Sequence, residues 1–305
     1  MPEVPPAGVS LLLVVNPNSR AARKGRVAPV RQALVTQGYD VEVATSQSGA
    51  DLEHIVAASQ PGQIVAALGG DGTIALAARG AYRSGAILLP LPGGRGNDLC
   101  DWLGIGTDPV VAARRVSAYT VQQLDAATAN GELFIGVATI GFDSLANRYA
   151  NEMRVIKGKS VYIAGGAKAL AKWRGAEFPL RIDGEEVDAR GMSVTIGNSG
   201  QYGGGIKICP RAVMDDGLLD VLVAGEVSKP GYVAMLPKLQ AGTHLDHPQV
   251  RYLRGRRIEI GVPQSTNPKL QGEIVLYADG DPVASPPITI EVVPRAVRVL
   301  APPAR

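Results

Sequence analysis

Hydrophobic and polar positions in the first 120 residues alternate between short apolar runs and longer amphipathic stretches. The apolar runs are typical of buried strands in a parallel sheet, and the amphipathic stretches predict helices between them. The predicted elements, in order, are strand 11–15, helix 27–37, strand 39–45, a helix capped by Asp51 that runs to residue 59, strand 64–68, helix 73–82, strand 86–91 and helix 97–103.

From about residue 120 the pattern changes to short strands separated by turns. The predicted strands are 120–128, 133–140, 179–182, 192–198, 219–224, 257–260, 274–278 and 288–292, with helical insertions at 144–172 and 229–242. Alternating strands and helices indicate right-handed crossovers, whereas closely spaced strands favour an antiparallel sandwich. We therefore predict an α/β fold with two domains. Residues 1–120 form a doubly wound, Rossmann-like parallel sheet, and residues 121–305 form a β-sandwich whose last strand could return to the first domain.

The amino-acid composition of the chain argues against several classes of protein and of binding site, as its apolar fraction, charge and cysteine count show. With 46% apolar and 19% charged residues, the chain of 305 residues is globular. Its 31 basic and 28 acidic side chains leave a formal charge of +3, too mild to indicate a nucleic-acid partner. Cys100 and Cys209 are too few for a disulfide framework or a cysteine-based zinc site. Without a signal-peptide pattern or a membrane-spanning apolar run, the expected location is cytoplasmic.

The loop formed by Gly69, Gly70, Asp71, Gly72 and Thr73 lies between a predicted strand and a predicted helix. Backbone N–H groups and the helix dipole favour an anion there, and glycines let a phosphate approach closely. A carboxylate beside a phosphate suggests an intervening Mg²⁺ ion, so the loop predicts a metal–nucleotide site. The alternative is a tight turn in which Asp71 only caps the helix.

Two further polar loops also follow predicted strands. One consists of Asn16, Pro17, Asn18, Ser19 and Arg20, and the other spans residues 92–98. Arg95 can pair with a phosphate, while Asn97 and Asp98 either cap the next helix or contact a ligand. None of the three loops has the Gly-Lys-Ser/Thr ending of a Walker loop.

Taken together, these motifs resemble the soluble diacylglycerol kinase family, which also includes sphingosine and ceramide kinases. The resemblance covers nearly the whole chain. It includes the three loops, Gly141-Phe142-Asp143, Tyr202-Gly203-Gly204-Gly205, Pro210-Arg211-Ala212, Asp216-Gly217-Leu218-Leu219-Asp220 and Asp279-Gly280-Asp281. It implies an ATP-binding first domain and a β-rich second domain, with a lipid site at or near the cleft between them. The implied activity is transfer of the γ-phosphoryl group to a lipid hydroxyl.

The resemblance also implies roles for individual residues. The residues expected to hold ATP are Asn16, Pro17, Asn18, Ser19, Arg20, Thr45, Gly69, Gly70, Asp71, Gly72, Thr73 and Arg95. Asp71 would position Mg²⁺–ATP, and Asp281 would accept the proton of the lipid hydroxyl. A structural Mg²⁺ in the second domain would use Asp216 with the backbone carbonyls of Val213 and Leu218.

Several positions depart from the pattern of the family. Asp281 replaces the usual Glu and has a shorter side chain, while Ala75 and Leu76 stand where an Asn-Glu pair is usual. Arg20 replaces a usual Gly, and Arg95 a usual Thr. These changes leave a catalytically weak nucleotide- or lipid-binding regulator as an alternative to an active kinase. NAD kinase, which shares the Gly-Gly-Asp-Gly loop, is a second alternative.

Asp279 and Asp281 allow two interpretations. Two acids facing one cleft could raise one pKa toward neutrality and make a proton acceptor. If they alternate on a strand, only one of them reaches the substrate. From the residues alone, the segment around Gly280 is equally an ordinary hairpin turn.

Basic residues indicate a membrane surface as a partner for the expected lipid substrate. The segment 148–174 carries Arg148, Arg154, Lys157, Lys159, Lys168, Lys172 and Arg174 around an apolar stretch. It predicts either an amphipathic surface for anionic headgroups or a solvated helix face. Arg251, Arg254, Arg256 and Arg257 could extend that surface. The sequence leaves open whether the protein attaches peripherally to the inner membrane face and whether it forms a homodimer.

Overall fold

The computed structural model describes residues 8–152, 160–270 and 272–303, apart from the side chains of residues 160–163 and 229. The chain forms two compact units. The first unit contains Met1–Ala126, Gly203–Gly205 and Pro294–Arg305, and the second contains Ala127–Tyr202 and Ile206–Val293.

Strands and helices alternate along the first unit. They are β1 (Ser10–Val15), α1 (Arg20–Arg23), α2 (Val27–Thr36), β2 (Asp40–Thr45), α3 (Gly49–Ala57), β3 (Ile64–Gly69), α4 (Asp71–Ser84), β4 (Ile87–Pro92), α5 (Asp98–Trp102), α6 (Pro109–Arg114), a 3-10 turn (Val116–Ala118) and β5 (Thr120–Ala129), which continues into the second unit.

Short strands dominate the remainder of the chain. They are β6 (Glu132–Phe134), β7 (Val137–Gly141), β8 (Ala176–Glu177), β9 (Leu180–Ile182), β10 (Glu185–Val187), β11 (Arg190–Gly191), β12 (Ser193–Gly197), β13 (Leu219–Ala224), β14 (Val250–Gly255), β15 (Arg257–Ile260), β16 (Gln264–Ser265), β17 (Leu276–Ala278), β18 (Asp281–Ala284) and β19 (Ile288–Ala301). The helices are α7 (Phe142–Glu152), α8 (Ser160–Lys172) and α9 (Lys229–Ala241), with 3-10 turns at His244–Asp246 and Pro268–Leu270.

The sheet of the first unit is parallel and has the order β19-β4-β3-β1-β2. Every residue of β3 and of β4 is buried, as expected for strands covered by helices on both faces. The predicted doubly wound α/β architecture is confirmed. The predicted start of α3 is wrong, because Ser48 is its N-cap and accepts the N–H of Asp51. The Asp51 carboxylate instead accepts the N–H of Gln47.

The second unit is antiparallel and sandwich-like, which confirms the predicted class. A six-stranded sheet has the order β14-β13-β12-β7-β17-β18, and β9 and β15 pair with the first part of β19, the strand that continues to β4. Ile140 and Val194 from the six-stranded sheet share one buried core with Ile258 of β15 and Ile290 of β19. This shared core is what joins the two layers.

Three predicted elements of the later chain differ from the structure. The predicted strand 133–140 is two strands, β6 and β7, interrupted at residues 135 and 136. The predicted insertion 144–172 contains two helices, α7 and α8, and residues 153–159 between them lie outside the described residues. The last strand extends to Ala301, so that residues 288–291 pair antiparallel with β15 while residues 298–299 pair parallel with β4.

No helix in the described ranges is long and apolar enough to cross a bilayer. Cys100 and Cys209 are both buried free thiols, and burial raises the pKa of each. They pack as small apolar side chains.

Candidate functional site

The carboxyl ends of four parallel strands lie in register in the first unit. Val15 of β1 pairs with Thr45 of β2 and with Leu68 of β3, and Leu68 pairs with Leu91 of β4. The chain leaves β1 for β2 and then returns to β3 on the other side of β1. The topological switch point is therefore between β1 and β3, where ligands bind in doubly wound sheets.

The loop after β1 is held by its own side chains. Asn16 accepts the N–H of Asn18 at 2.9 Å through Oδ1 and donates from Nδ2 to Thr73 Oγ1 at 3.2 Å. Ser19 caps α1 by accepting the N–H of Ala22. The Asn16–Thr73 bond ties the loop after β1 to the first turn of α4 across the switch point. Pro17 and Arg20 are exposed beside it.

The loop after β3 starts the 14-residue helix α4 without a side-chain cap. Gly70 is the N-cap residue, and it has no side chain that could accept the N–H groups of the first turn. An anionic ligand could take the place of such a cap, because the positive end of the helix dipole lies here.

The glycines of this loop have a packing role that the sequence did not reveal. A Cβ on Gly94 would lie 2.4 Å from Gly70 Cα, and one on Gly93 would lie 2.9 Å from Gly69 Cα. The loops after β3 and β4 therefore contact each other backbone to backbone. Gly72 differs, because a Cβ there would meet no atom within 4 Å. Of these glycines, Gly72 borders open space.

Asp71 links the same two loops through its carboxylate. Oδ2 accepts the N–H of Asn97 at 3.0 Å, and Oδ1 accepts that of Asp98 at 2.6 Å. Gly70, and not Asp71, is the N-cap residue of α4, so the interpretation of Asp71 as the cap of its own helix is wrong. The Asp71 carboxylate instead caps the start of α5. Each carboxylate oxygen has more than one acceptor site, so Asp71 can also face a metal ion.

Asp98 connects the loop after β4 to the glycine run that belongs to the first unit. Its carboxylate accepts the N–H groups of Gly204 at 3.1 Å and Gly205 at 3.0 Å. Burial, with a smaller contribution from the charge of Asp71, raises the pKa of Asp98. The Gly-rich motif around residue 204 was the only sequence signal of this contact. Arg95 and Thr45, two other predicted ATP-binding residues, are exposed at this edge.

In the second unit, Asp279 and Gly280 form the two-residue turn between β17 and β18. Both have positive φ, 51° and 93°, as a type I′ hairpin requires. The Asp279 carboxylate accepts the N–H groups of Ile135 at 3.0 Å and Gly136 at 2.9 Å. These bonds explain why the predicted strand 133–140 is interrupted. Asp281 begins β18 and is exposed.

The predicted structural metal site contains an ion pair. Asp216 accepts the N–H of Leu218 at 3.0 Å, and its other oxygen pairs with Arg254. Arg254 Nε also lies 3.2 Å from Oδ1 of Asp220, a fully buried acid whose pKa is raised by burial. Within the described ranges, no cluster of three or more His, Cys, Asp or Glu side chains could hold a metal. An Mg²⁺ ion bound by Asp216 and the backbone carbonyls of Val213 and Leu218 would share Asp216 with Arg254, and this metal site stays a prediction.

Asp143 is a buried acid that sequence reasoning singled out only as part of a motif. Its carboxylate accepts Ser193 Oγ–H at 2.7 Å and Tyr232 O–H at 3.0 Å. Burial raises the pKa of Asp143. The ring of Phe142 contacts that of Tyr232 edge to face, with centroids 4.5 Å apart. Asp143 therefore holds helix α9 to the sheet.

Many of the basic residues already have acidic or main-chain partners. Arg148 pairs with Glu152 and Glu273, and Lys168 with Glu152. Arg154, Lys157 and Lys159 lie outside the described residues.

The second basic cluster is similarly occupied. Arg257 pairs with Glu259 and Glu291, and Arg251 donates to the carbonyl of Asp188. Arg254 is also paired, Arg256 is exposed, and a membrane surface formed by this cluster stays a prediction.

Comparisons with known proteins cover both units. Residues 10–129 match the family model "Diacylglycerol kinase catalytic domain", and residues 136–301 match "YegS C-terminal NAD kinase beta sandwich-like domain". A diacylglycerol kinase of Mycobacterium tuberculosis is 33% identical over 88% of this chain and 87% of its own length. A Pseudomonas aeruginosa protein named "Probable lipid kinase YegS-like" is 28% identical over 90% of this chain and 89% of its own.

The fold has a counterpart among solved structures. The crystal structure of a diacylglycerol kinase from Bacillus anthracis superposes with a TM-score of 0.71 at 18% identity, covering 96% of this chain and 97% of that one. The architecture, the loops at the switch point and the two matching family models agree with one another. The chain therefore belongs to the family of diacylglycerol kinases and YegS-like lipid kinases, and it is a kinase.

Proposed function

We propose that this kinase uses Mg²⁺–ATP to phosphorylate the hydroxyl of a lipid, diacylglycerol or a related molecule. The observation that carries the proposal is the set of loops at the switch point of the first unit, joined by the Asn16–Thr73 and Asp71–Asn97 hydrogen bonds. Phosphoryl transfer depends mainly on positioning and on charge stabilisation. A hydrogen-bonded loop cluster beside a helix start without a side-chain cap supplies both.

Each loop has a role in this proposal. Asn16, Pro17, Asn18, Ser19 and Arg20 with Gly69, Gly70, Gly72, Thr73, Thr45 and Arg95 surround the nucleotide. The N–H groups at the start of α4 and the guanidinium groups of Arg20 and Arg95 face the phosphates. Asp71 would hold Mg²⁺, which would neutralise phosphate charge. An exposed arginine can reach a ligand at little desolvation cost.

Asp281 is the proposed proton acceptor. The lipid oxygen forms a bond to the γ-phosphorus, the bond between that phosphorus and the β–γ bridging oxygen breaks, and ADP leaves. The hydroxyl proton passes to the Asp281 carboxylate. Asp279 is a positioning residue, because its carboxylate holds residues 135 and 136 and thereby fixes the turn that presents Asp281.

The test is a radiolabelled ATP assay over diacylglycerol, a sphingoid base, ceramide and NAD. We expect transfer to a lipid, and we expect Asp281→Asn to lower kcat by about 10²–10⁴-fold while leaving ATP affinity unchanged. Asp188→Asn, which changes an exposed acid elsewhere in the second unit, is the matched control.

The outcomes separate the alternatives. Phosphorylation of NAD alone would make the protein an NAD kinase, and ATP binding without turnover on any substrate would make it a regulator. Full activity in Asp281→Asn would remove that residue from the mechanism.

A further inference from the structure

Helix α9 exposes an apolar face on the second unit. Val233 is 51% exposed and Leu236 is 47% exposed, among the most exposed large apolar side chains of the described chain. Ala234 and Pro237 of the same helix are also exposed. Soluble helices ordinarily direct such residues inward and present charged ones to water.

The opposite side of α9 is already anchored. Met235 is buried, and Tyr232 donates its hydroxyl to Asp143. Leu239 packs against the small core cluster around Ile208. The helix is therefore held on one side by the sheet, and Val233 and Leu236 do not serve its attachment to the unit.

The charges of α9 have one sign. Its 13 residues include Lys229 and Lys238 and no acid, and Lys238 is exposed. The side chain of Lys207 lies against Gly242, which ends the helix. The nearest acids in the chain, Glu226 and Asp246, lie outside the helix. Apolar side chains flanked by lysines are the pattern of a helix that lies in the headgroup region of an anionic bilayer.

The geometry points to α9 as the membrane-docking element of this protein, with an anionic lipid bilayer as its partner. Val233 and Leu236 enter the boundary between headgroups and acyl chains, and Lys207 and Lys238 contact anionic headgroups. The inference deepens the proposed function, on which it rests, because a kinase acting on a membrane lipid must stay at the bilayer surface during turnover.

The test measures flotation with vesicles of phosphatidylcholine in which about one third of the lipid is phosphatidylglycerol. We expect the wild type to bind these vesicles and the V233E/L236E variant to bind at least about tenfold more weakly. Lys238→Glu should weaken binding to these vesicles and not to pure phosphatidylcholine. A V35E/V111E variant, which changes two exposed valines of the first unit, is the control and should bind like the wild type.

Three results would overturn the inference. They are absence of wild-type binding, unchanged binding of V233E/L236E, and conversion of a dimer to a monomer by these substitutions without an effect on vesicle binding. In the last case α9 would be an interface between two copies of the chain. Circular dichroism and the melting temperature show whether each variant is folded.

An activity assay on dispersed short-chain diacylglycerol separates this inference from the proposed function. We expect V233E/L236E to phosphorylate that substrate like the wild type. Vesicle binding by a wild type that phosphorylates no lipid would refute the proposed function and leave the docking surface intact. Phosphorylation of a lipid by a wild type whose vesicle binding does not depend on α9 would refute the docking surface and leave the proposed function intact.

Discussion

Acidic residues at conspicuous positions in this protein mostly bind backbone N–H groups or a cation of the same chain. Asp71 and Asp279 each accept two N–H groups from a distant loop. Asp216 and Asp220 share Arg254. Hydrogen bonds to a charged group contribute about 1.5–3 kcal/mol each, so these acids fix the loops that they contact.

Substitution of Arg254 tests the contribution of its ion pairs to stability. We expect Arg254→Met to lower the free energy of unfolding at pH 7.5 by about 2 kcal/mol, because it leaves the buried Asp220 without its cation. The loss is below that of a fully buried pair, since the Arg254 side chain is 39% exposed. Urea unfolding measures it.

The pH dependence of this loss has a defined sign. Asp220 has a raised pKa in the folded protein, and removing Arg254 raises it further. The folded variant then holds a proton that the unfolded chain releases, so its stability falls as pH rises above the ordinary range of an aspartate. The difference from wild type should be smaller at pH 5 than at pH 7.5. Arg251→Met, which loses only a bond to a carbonyl, is the control. An equal loss of stability in Arg251→Met would contradict the ion-pair interpretation.

The loops and helix starts of the first unit show how one sequence feature can serve two purposes. Gly94 is needed because another backbone passes beside it, whereas Gly72 borders open space. The same residue type therefore supports packing at one position and ligand approach at the other. Substitution by alanine can separate the two roles.

We expect Gly94→Ala to lower the melting temperature and weaken ATP binding together, because its Cβ would lie 2.4 Å from the backbone at Gly70. Gly72→Ala should keep or raise stability, by about 0.5–1 kcal/mol, since alanine is favoured inside a helix. If the phosphate approaches here, Gly72→Ala should still weaken ATP binding. Calorimetry on both variants measures each quantity, and unchanged ATP affinity in Gly72→Ala would place the phosphate elsewhere.

The last strand links the ends of the sequence at the scale of the whole molecule. Residues 298–299 pair with β4, and Val297, Val299 and Leu300 are at most 1% exposed in the first unit. Gln122 Nε2 also donates to the carbonyl of Pro302. The first unit is therefore complete only when the end of the chain has been added.

We expect a chain that ends at residue 293 to aggregate or to lose the fold of its first unit, because β4 becomes an open edge strand. Limited proteolysis and light scattering would show this, with a chain ending at residue 303 as the control. A truncated chain that binds ATP like the full one would show that the last strand is dispensable.

Local patterns alone determined much about this protein. Apolar runs and helical spacing predicted the four strands and four of the helices in the first 120 residues to within a few positions, because burial imposes a period on nearby residues. The short helices α1 and α6 were not predicted. The order of motifs identified the family. The predicted site residues Asn16 and Thr73 are also hydrogen-bonded in the structure. The assignment of ATP contacts and of Asp281 stays a prediction.

Only the tertiary structure decided which group each side chain meets. Asp71 is 26 residues from Asn97, Asp279 is 144 residues from Ile135, and Arg254 is 38 residues from Asp216. The strand that completes the first sheet comes from the far end of the chain. Periodicity describes burial along one element, whereas hydrogen-bond partners and charge pairs depend on how distant segments pack. The unbroken strand 133–140 was wrong for that reason, because distant Asp279 holds residues 135 and 136. The predicted cap at Asp51 was wrong for a local reason, because Ser48 takes that position.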